Sequence, residues 1–449
     1  MIWDSDAATL AQAYASGRRD PVEMVEAVLP AMADQPAVFL DAFAERARRE
    51  AMASRARWRA GAPLSVLDGV PVAWKDMFDV RGHRTTGASA TRMQCQPAAQ
   101  DAAVVRRLTQ AGLVNVGKTN LSEFAYSGLG LNPHFGTPVL PRAGLADRAP
   151  GGSSAGSAIA VAAGIVPLAM GTDTAGSIRV PAAFNGLLGW RASCARYDLQ
   201  GVMPLAPSLD TIGPLARSAR DLATLDALLR GDVAPALAPA SLSALRLVVD
   251  PAILQAPVVS AAVQAQTEQC LQRLARAGVA VETRRVAAWH EAWRIQDEYG
   301  WLGGFEAFAL HQPLLDSPAA AQLDVRVRAR LEQTRAQPAV AVVHAYQAQA
   351  RLQAAMAAEL DGALLLTPTT AHVAPPLAAL ENDPAEFARC NLATLRLTMP
   401  GSYLDMPGVS LPSGQDAQGL PTGVLLSGPC GADTQVLRAA LAVAQVLTN

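Results

Sequence analysis

Three positions carry hydroxyl or amine groups in settings where they could do chemistry. Residues 151–160 read GGSSAGSAIA and residues 171–182 read GTDTAGSIRVPA, with only the apolar run VAAGIVPLAM between them. The two clusters are either flexible loops or two halves of one site. A serine hydroxyl is a poor nucleophile at neutral pH and needs a base; a lysine can serve when desolvation lowers its pKa. Lys75 sits among Val72, Ala73, Trp74, Met77 and Phe78, neighbours that favour the neutral amine. A lysine in an apolar strand also reads as a snorkelling or ion-paired side chain, and from the residues alone both readings stand.

Other chemistries fit less well. Glycine-exposed N–H groups can cradle a phosphate, but GGSSAGSAIA lacks the lysine that a Walker loop needs, and no G-x-G-x-x-G follows a strand. Residues 152–156 match G-x-S-x-G, which would make Ser154 a nucleophile on a strand-to-helix elbow, with Asp324 and His372 as the partners on offer. The six histidines show no H-x-x-x-H spacing, so no metal or other cofactor is expected.

The elements that must position these groups alternate between helix and strand. Residues 1–64 are Ala/Arg-rich and helical in pattern, with Asp20-Pro21 as a cap and first-turn proline. Residues 63–80 read as short strands joined by a turn. A helix over 101–111, closed by Gly112 and followed by LVNVG, is echoed at 260–286, and LRLVVD and ALLLTP add further strands. This grammar predicts an α/β fold with helices on a largely buried sheet. The Pro/Ala-rich stretch 231–244 either marks a boundary or joins two parts of one sheet, and 290–360 is mainly helical in pattern.

Composition narrows the partners. The chain has 449 residues, 51% hydrophobic and 17% charged, with a net charge of −2. That balance excludes a disordered chain and gives no electrostatic footprint for nucleic acid or an anionic membrane. The N-terminus shows no secretory signal, so a cytoplasmic protein is expected. Five scattered cysteines read as buried packing rather than disulfides or a zinc site. A symmetric homodimer is the default expectation for a soluble enzyme.

PGGSSAGSAIAVAAG followed by GTDTAGSIRVPAAFNGLLG resembles the core of the amidase signature family, and VPVAWKDMFDVRGHRTTGAS resembles its lysine segment. AGLVNVGKTNLSEFAYSGLGLNPHFGTP, GVMPLAPSLDTIGPLARSARDL, LLLTPTTAHVAPPL and GLPTGVLLSGPCGAD agree in order, densely over 65–230 and thinly beyond. The resemblance implies one amidase domain over 1–449: an N-terminal helical segment 1–64, a core 65–230, and a remainder 231–449 with a helical pocket region at 290–360. Its fold would be a large mixed β-sheet flanked by helices on both faces.

It also implies a Ser–Ser–Lys triad that hydrolyses a small or medium carboxamide. Ser177 matches the acyl-forming nucleophile, Lys75 the base, and Ser153 the bridging serine after a cis peptide at Gly152. The two serines stand 24 residues apart, the family's spacing. Backbone N–H groups of Thr174, Ala175, Gly176 and Ser177 match the oxyanion hole. Tyr126 and Ser127 match a substrate-facing wall, and Ser154, Asp173 and Arg179 supporting positions. Ala155 and Ala175 replace usual glycines, so each must avoid positive φ or bear strain. GWRAS at 189–193 replaces the usual Gly-hydrophobic-Lys-Pro-Thr.

Two alternatives share the motifs: the glutaminase component of a glutamyl-tRNA(Gln) amidotransferase, and a binding protein that retains the fold without turnover. Selectivity falls to 290–410, where Trp293, Tyr299, Trp301, Phe305 and Tyr403 either line a pocket or pack in the core.

Overall fold

The computed structural model describes residues 3, 5–140, 144–232 and 237–448. Short apolar and β-branched runs form its strands: β1 Phe39–Ala42, β2 Pro71–Lys75, β3 Val114–Thr119, β4 Leu168–Asp173, β5 Leu188–Arg191, β6 Thr211–Ala216, β7 Arg246–Val249, β8 Ala280–Thr283, β9 Leu364–Pro368, β10 Gly408–Gln415 and β11 Pro421–Ser427. Among the described residues they make one 11-stranded sheet in the order β1-β3-β2-β4-β6-β5-β10-β11-β9-β7-β8. β2 runs parallel to β3 and β4, and β7 parallel to β8 and β9, while the other pairs are antiparallel. Strands from both sides of the 231–244 connector therefore share hydrogen bonds; residues 233–236 of that connector lie outside the described residues.

Both faces of this mixed sheet are covered. Successive strand residues point to opposite faces. Leu247, Val249, Leu364 and Leu366 accordingly enter the larger hydrophobic cluster, with Leu437 and Val443 of the helix Asp433–Thr448. Val248 and Leu365 enter a second cluster with Trp289, Trp293, Leu352 and Met356, from the helices Ala287–Tyr299 and Ala339–Leu360.

The local signals work as expected in several places. Asp20 accepts from the Val22 N–H at 2.7 Å and opens the helix Pro21–Ala33. Gly112 and Gly278 take positive φ after the helices Ala103–Gln110 and Ala261–Arg276.

Three expectations are corrected. The N-terminal segment is not purely helical, because β1 pairs antiparallel with β3; four residues in an Ala/Arg-rich stretch show no alternation. Residues 63–80 hold one strand, not several: Asp68 accepts from Arg57 Nε and Nη2 and from the Leu64 N–H, which folds the preceding segment around its carboxylate. Only Cys270 and Cys390 are buried, whereas Cys95 and Cys194 are partly buried and Cys430 is exposed.

Candidate active site

Every residue of β2 is buried, so the lysine that ends it has no solvent route for its ammonium. Lys75 Nζ lies 2.7 Å from Ser153 Oγ and 2.6 Å from Thr172 Oγ1. Parallel pairing of Trp74 with Met170 sets β4 beside β2 and brings Thr172 within reach. Burial pushes the Lys75 pKa down from 10.5 to about 7, against the opposing fields of Asp173 and Asp210. Among the described residues no carboxylate touches Nζ; two hydroxyls do.

Ser153 precedes the helix Ala155–Ala162, and the Gly152–Ser153 peptide is cis. The Gly152 N–H donates to the Gly128 carbonyl at 2.8 Å. A side chain at residue 152 would strike Gly130 N, Ser127 O and Ser122 Oγ at 2.6–2.8 Å, so only glycine fits there. Ser154 Oγ donates to the Thr172 carbonyl at 3.3 Å. Its suggested elbow partners are engaged elsewhere: His372 with Thr394 and the Val373 carbonyl, Asp324 with Arg326. The Ser154 N–H reaches the Ser177 carbonyl at 3.1 Å, which ties the two glycine–serine segments together.

The turn carrying Ser177 is built around Asp173. Its carboxylate accepts from the N–H groups of Gly176, Ile178 and Arg179 and from Arg179 Nε and Nη2 at 2.8–3.3 Å. Burial alone would raise this carboxyl; Arg179, with Arg191 behind it, holds it well below the usual carboxylate range. Arg179 and Asp173 are thus a buried ion pair that shapes the loop. Of the four expected oxyanion donors, Gly176 differs: its N–H is drawn to Asp173 Oδ1 at 2.8 Å, leaving Thr174, Ala175 and Ser177 as candidates. Gly176 has φ +130°, and a Cβ there would collide with Thr398. Ala155 and Ala175 both avoid positive φ.

Four residues that sequence reasoning missed complete the support. Arg191, in the divergent GWRAS stretch, donates from Nη1 to the Asp173 carbonyl at 2.6 Å and the Leu209 carbonyl at 3.2 Å. Thr398 Oγ1 donates to the Ala175 carbonyl, and Ser402 accepts from Arg179 Nη2 at 2.7 Å. Asp210 Oδ1 accepts from the Thr174 hydroxyl at 2.6 Å. Asp210 and Arg191 left signals, the SLDTIGP and GWRAS stretches already quoted; Thr398 and Ser402 left none.

A cavity of about 460 Å³ adjoins this turn, lined by Tyr126, Trp301, Phe305, Arg330, Leu395 and Met399 among others. Ala175 packs in one cluster with Leu395, Trp301 and Met399. Tyr126 lines this cavity, stacked against Trp301 at 6.5 Å. The Ser127 hydroxyl instead donates to Asn391 Oδ1 at 3.0 Å. Trp301 and Phe305 line the cavity; Trp293 bonds the Arg396 carbonyl and lines a different cavity, and Tyr403 bonds the Ala345 carbonyl and packs in the core.

The family model for Amidase matches residues 23–437. The chain is 34% identical over 401 residues to 2-amino-5-chloromuconic acid deaminase of Comamonas testosteroni, covering 89% of this chain and 86% of that protein. It is 33% identical to the A component of the glutamyl-tRNA(Gln) amidotransferase of Symbiobacterium thermophilum, over 98% of this chain and 96% of that one. The crystal structure of an amidase, 30% identical, superposes with a TM-score of 0.87 over 99% of this chain and all of the other.

Proposed function

We propose, from the premise that this chain belongs to the amidase family, that it cleaves a small or medium carboxamide through an acyl-enzyme on Ser177. The chain is an amide hydrolase. The observation that supports the detailed reading is the Lys75–Ser153 contact at 2.7 Å in a buried setting, with no carboxylate on the amine among the described residues.

Thr172 gives the contact its direction. Its hydroxyl points its own hydrogen at Met77 Sδ, 3.6 Å away, and so accepts from Lys75. The lone pair of a neutral Lys75 is then left for the Ser153 hydroxyl proton. As Ser177 Oγ bonds to the amide carbon, its proton passes to Ser153 Oγ while the Ser153 proton passes to Lys75 Nζ. The N–H groups of Thr174, Ala175 and Ser177 are the donors left to receive the oxyanion, each such donor contributing about 2.7–4 kcal/mol. The C–N bond then breaks as the proton returns through Ser153 to the departing nitrogen. Water repeats the attack on the ester and releases the carboxylate.

A second reading, the ammonia-releasing component of an amidotransferase, is favoured by the 33% identity to such a protein over 98% of the chain. An amide panel assayed with the purified chain separates the two. Turnover of simple amides without partners, abolished in Ser177→Ala, supports the stand-alone amidase; glutamine hydrolysis that appears only with partner proteins and charged tRNA supports the other. A covalent adduct on Ser154 instead of Ser177 overturns the assignment of the nucleophile.

A further inference from the structure

Strand register sets an acid against the first of the oxyanion donors. Asp173 of β4 pairs antiparallel with Thr211 of β6, so the residue that follows one strand faces the residue that precedes the other. Thr174 accordingly donates from Oγ1 to Asp210 Oδ1 at 2.6 Å. Asp210 Oδ2 accepts from the Leu205 N–H at 2.8 Å and the Ala206 N–H at 3.0 Å. Among the described residues this carboxylate forms no ion pair, in contrast to Asp173 with Arg179. The backbone bonds that build the 205–210 turn need only one of its oxygens; the other is spent on Thr174.

A further residue closes a ring around Thr174. Arg191 Nη1 donates to the Asp173 carbonyl at 2.6 Å and to the Leu209 carbonyl at 3.2 Å, joining the residues that precede Thr174 and Asp210. The Asp173 carbonyl and the Thr174 N–H share one planar peptide, so Arg191 sets the direction of that N–H while Asp210 fixes the side chain beyond it. The donor is held from both sides. Packing does little to hold Asp210 itself, which lines a cavity of about 190 Å³ with Met77, Thr172, Val202 and Ile212. Its hydrogen bonds keep it in place.

We propose that Asp210 is a positioning residue for amide hydrolysis: through the Thr174 hydroxyl it holds the Thr174 N–H at the oxyanion. This inference rests on the amidase reading. A donor that must meet a charge formed only in the transition state is effective when its direction is fixed beforehand. Loss of the Asp210–Thr174 bond therefore weakens transition-state binding and spares the ground state.

The test uses trifluoromethyl ketones carrying the acyl groups of the amide panel, with the corresponding trifluoromethyl alcohols as controls. Ser177 Oγ bonds to the ketone carbon, its proton passes to Ser153 as that of Ser153 passes to Lys75, and a hemiketal oxyanion remains. Fluorine NMR counts it. The alcohols bind but cannot form it. In Asp210→Ala and Thr174→Val the ketone binds about 100-fold more weakly and kcat/KM for the matching amide falls in step, as on loss of one oxyanion donor. Alcohol binding stays at the wild-type level. Asp210→Asn recovers most of the loss, because the new amide group donates to Thr174 Oγ1 while its oxygen accepts from Leu205 and Ala206.

Thermal melts confirm that the variants fold, and Thr174→Val carries the test alone if Asp210→Ala does not, since it leaves the bonds to Leu205 and Ala206 in place. Ketone binding unchanged in Thr174→Val, ketone and alcohol weakened alike, or Asp210→Asn no better than a folded Asp210→Ala overturns the proposal. A wild-type hemiketal on Ser177 that no variant weakens overturns it while leaving the amidase intact. Neither hemiketal nor amide turnover in the wild type removes the amidase reading and this inference with it.

Discussion

Two buried lysines on neighbouring strands meet opposite fates. Lys118, on β3, donates to Asp76 Oδ1 at 2.9 Å, to the Arg84 carbonyl at 2.6 Å and to Thr85 Oγ1 at 2.8 Å. Asp76 in turn accepts from the N–H and hydroxyl of Thr86. Carboxylate, carbonyl and hydroxyl together compensate an ammonium there. Lys75, on β2, has among the described residues only the hydroxyls of Ser153 and Thr172. Burial is shared by the two sites; the counter-charge is not. The contrast teaches that a buried lysine becomes a base when its partners can exchange protons but cannot neutralise a cation.

Replacing each lysine by methionine breaks that contrast most sharply. Lys75→Met lowers kcat on amides by at least about 10⁴-fold, in line with removal of a member from a serine triad. The same change costs less than about 2 kcal/mol of stability, since it removes one partner from each of two hydroxyls but leaves no naked charge. Lys118→Met strands Asp76 and costs about 3–5 kcal/mol in a urea titration. Equal losses of stability in the two variants would erase the distinction drawn between the sites.

Smaller substitutions sharpen it. Thr172→Val removes the acceptor that orients Lys75, and kcat falls about 10–100-fold with KM little changed. Ser127→Ala has the smallest effect, less than about 10-fold, because that hydroxyl is spent on Asn391 rather than aimed at substrate.

Stability should also track pH through Lys75. Its proton affinity is lower folded than unfolded, so the unfolded chain binds more protons between about pH 7 and 10.5. Stability therefore rises with pH across that window, and below about 7 the cost of the buried ammonium is constant. Lys75→Met flattens this slope in urea titrations across the same range.

How much of this was legible in the sequence differs by distance along the chain. The helix-to-strand grammar around Gly112 and Gly278 is local, and it was readable. Ser153, Ser177 and Lys75 stood out because glycine clusters and an apolar lysine segment are local patterns too. Thr172 was not legible as a lysine partner, because only the register of β4 against β2 brings it there. Thr398 and Arg330 reach the site from the thinly matched half, across more than 200 residues of chain in their contacts to Ala175 and Tyr126. The strand Phe39–Ala42 exists through its pairing with β3, a contact that no four-residue pattern encodes.

The central claim is that an uncharged Lys75 activates Ser177 through Ser153. It is tested most directly by the pH dependence of Ser177 labelling with phenylmethylsulfonyl fluoride, followed by intact and peptide mass spectrometry in wild type and Lys75→Ala. The account predicts a labelling rate that rises with pH through a single ionisation near 7 in the wild type and is far slower, without that ionisation, in Lys75→Ala. Labelling of Ser177 at the same rate and with the same pH profile in both proteins would contradict it.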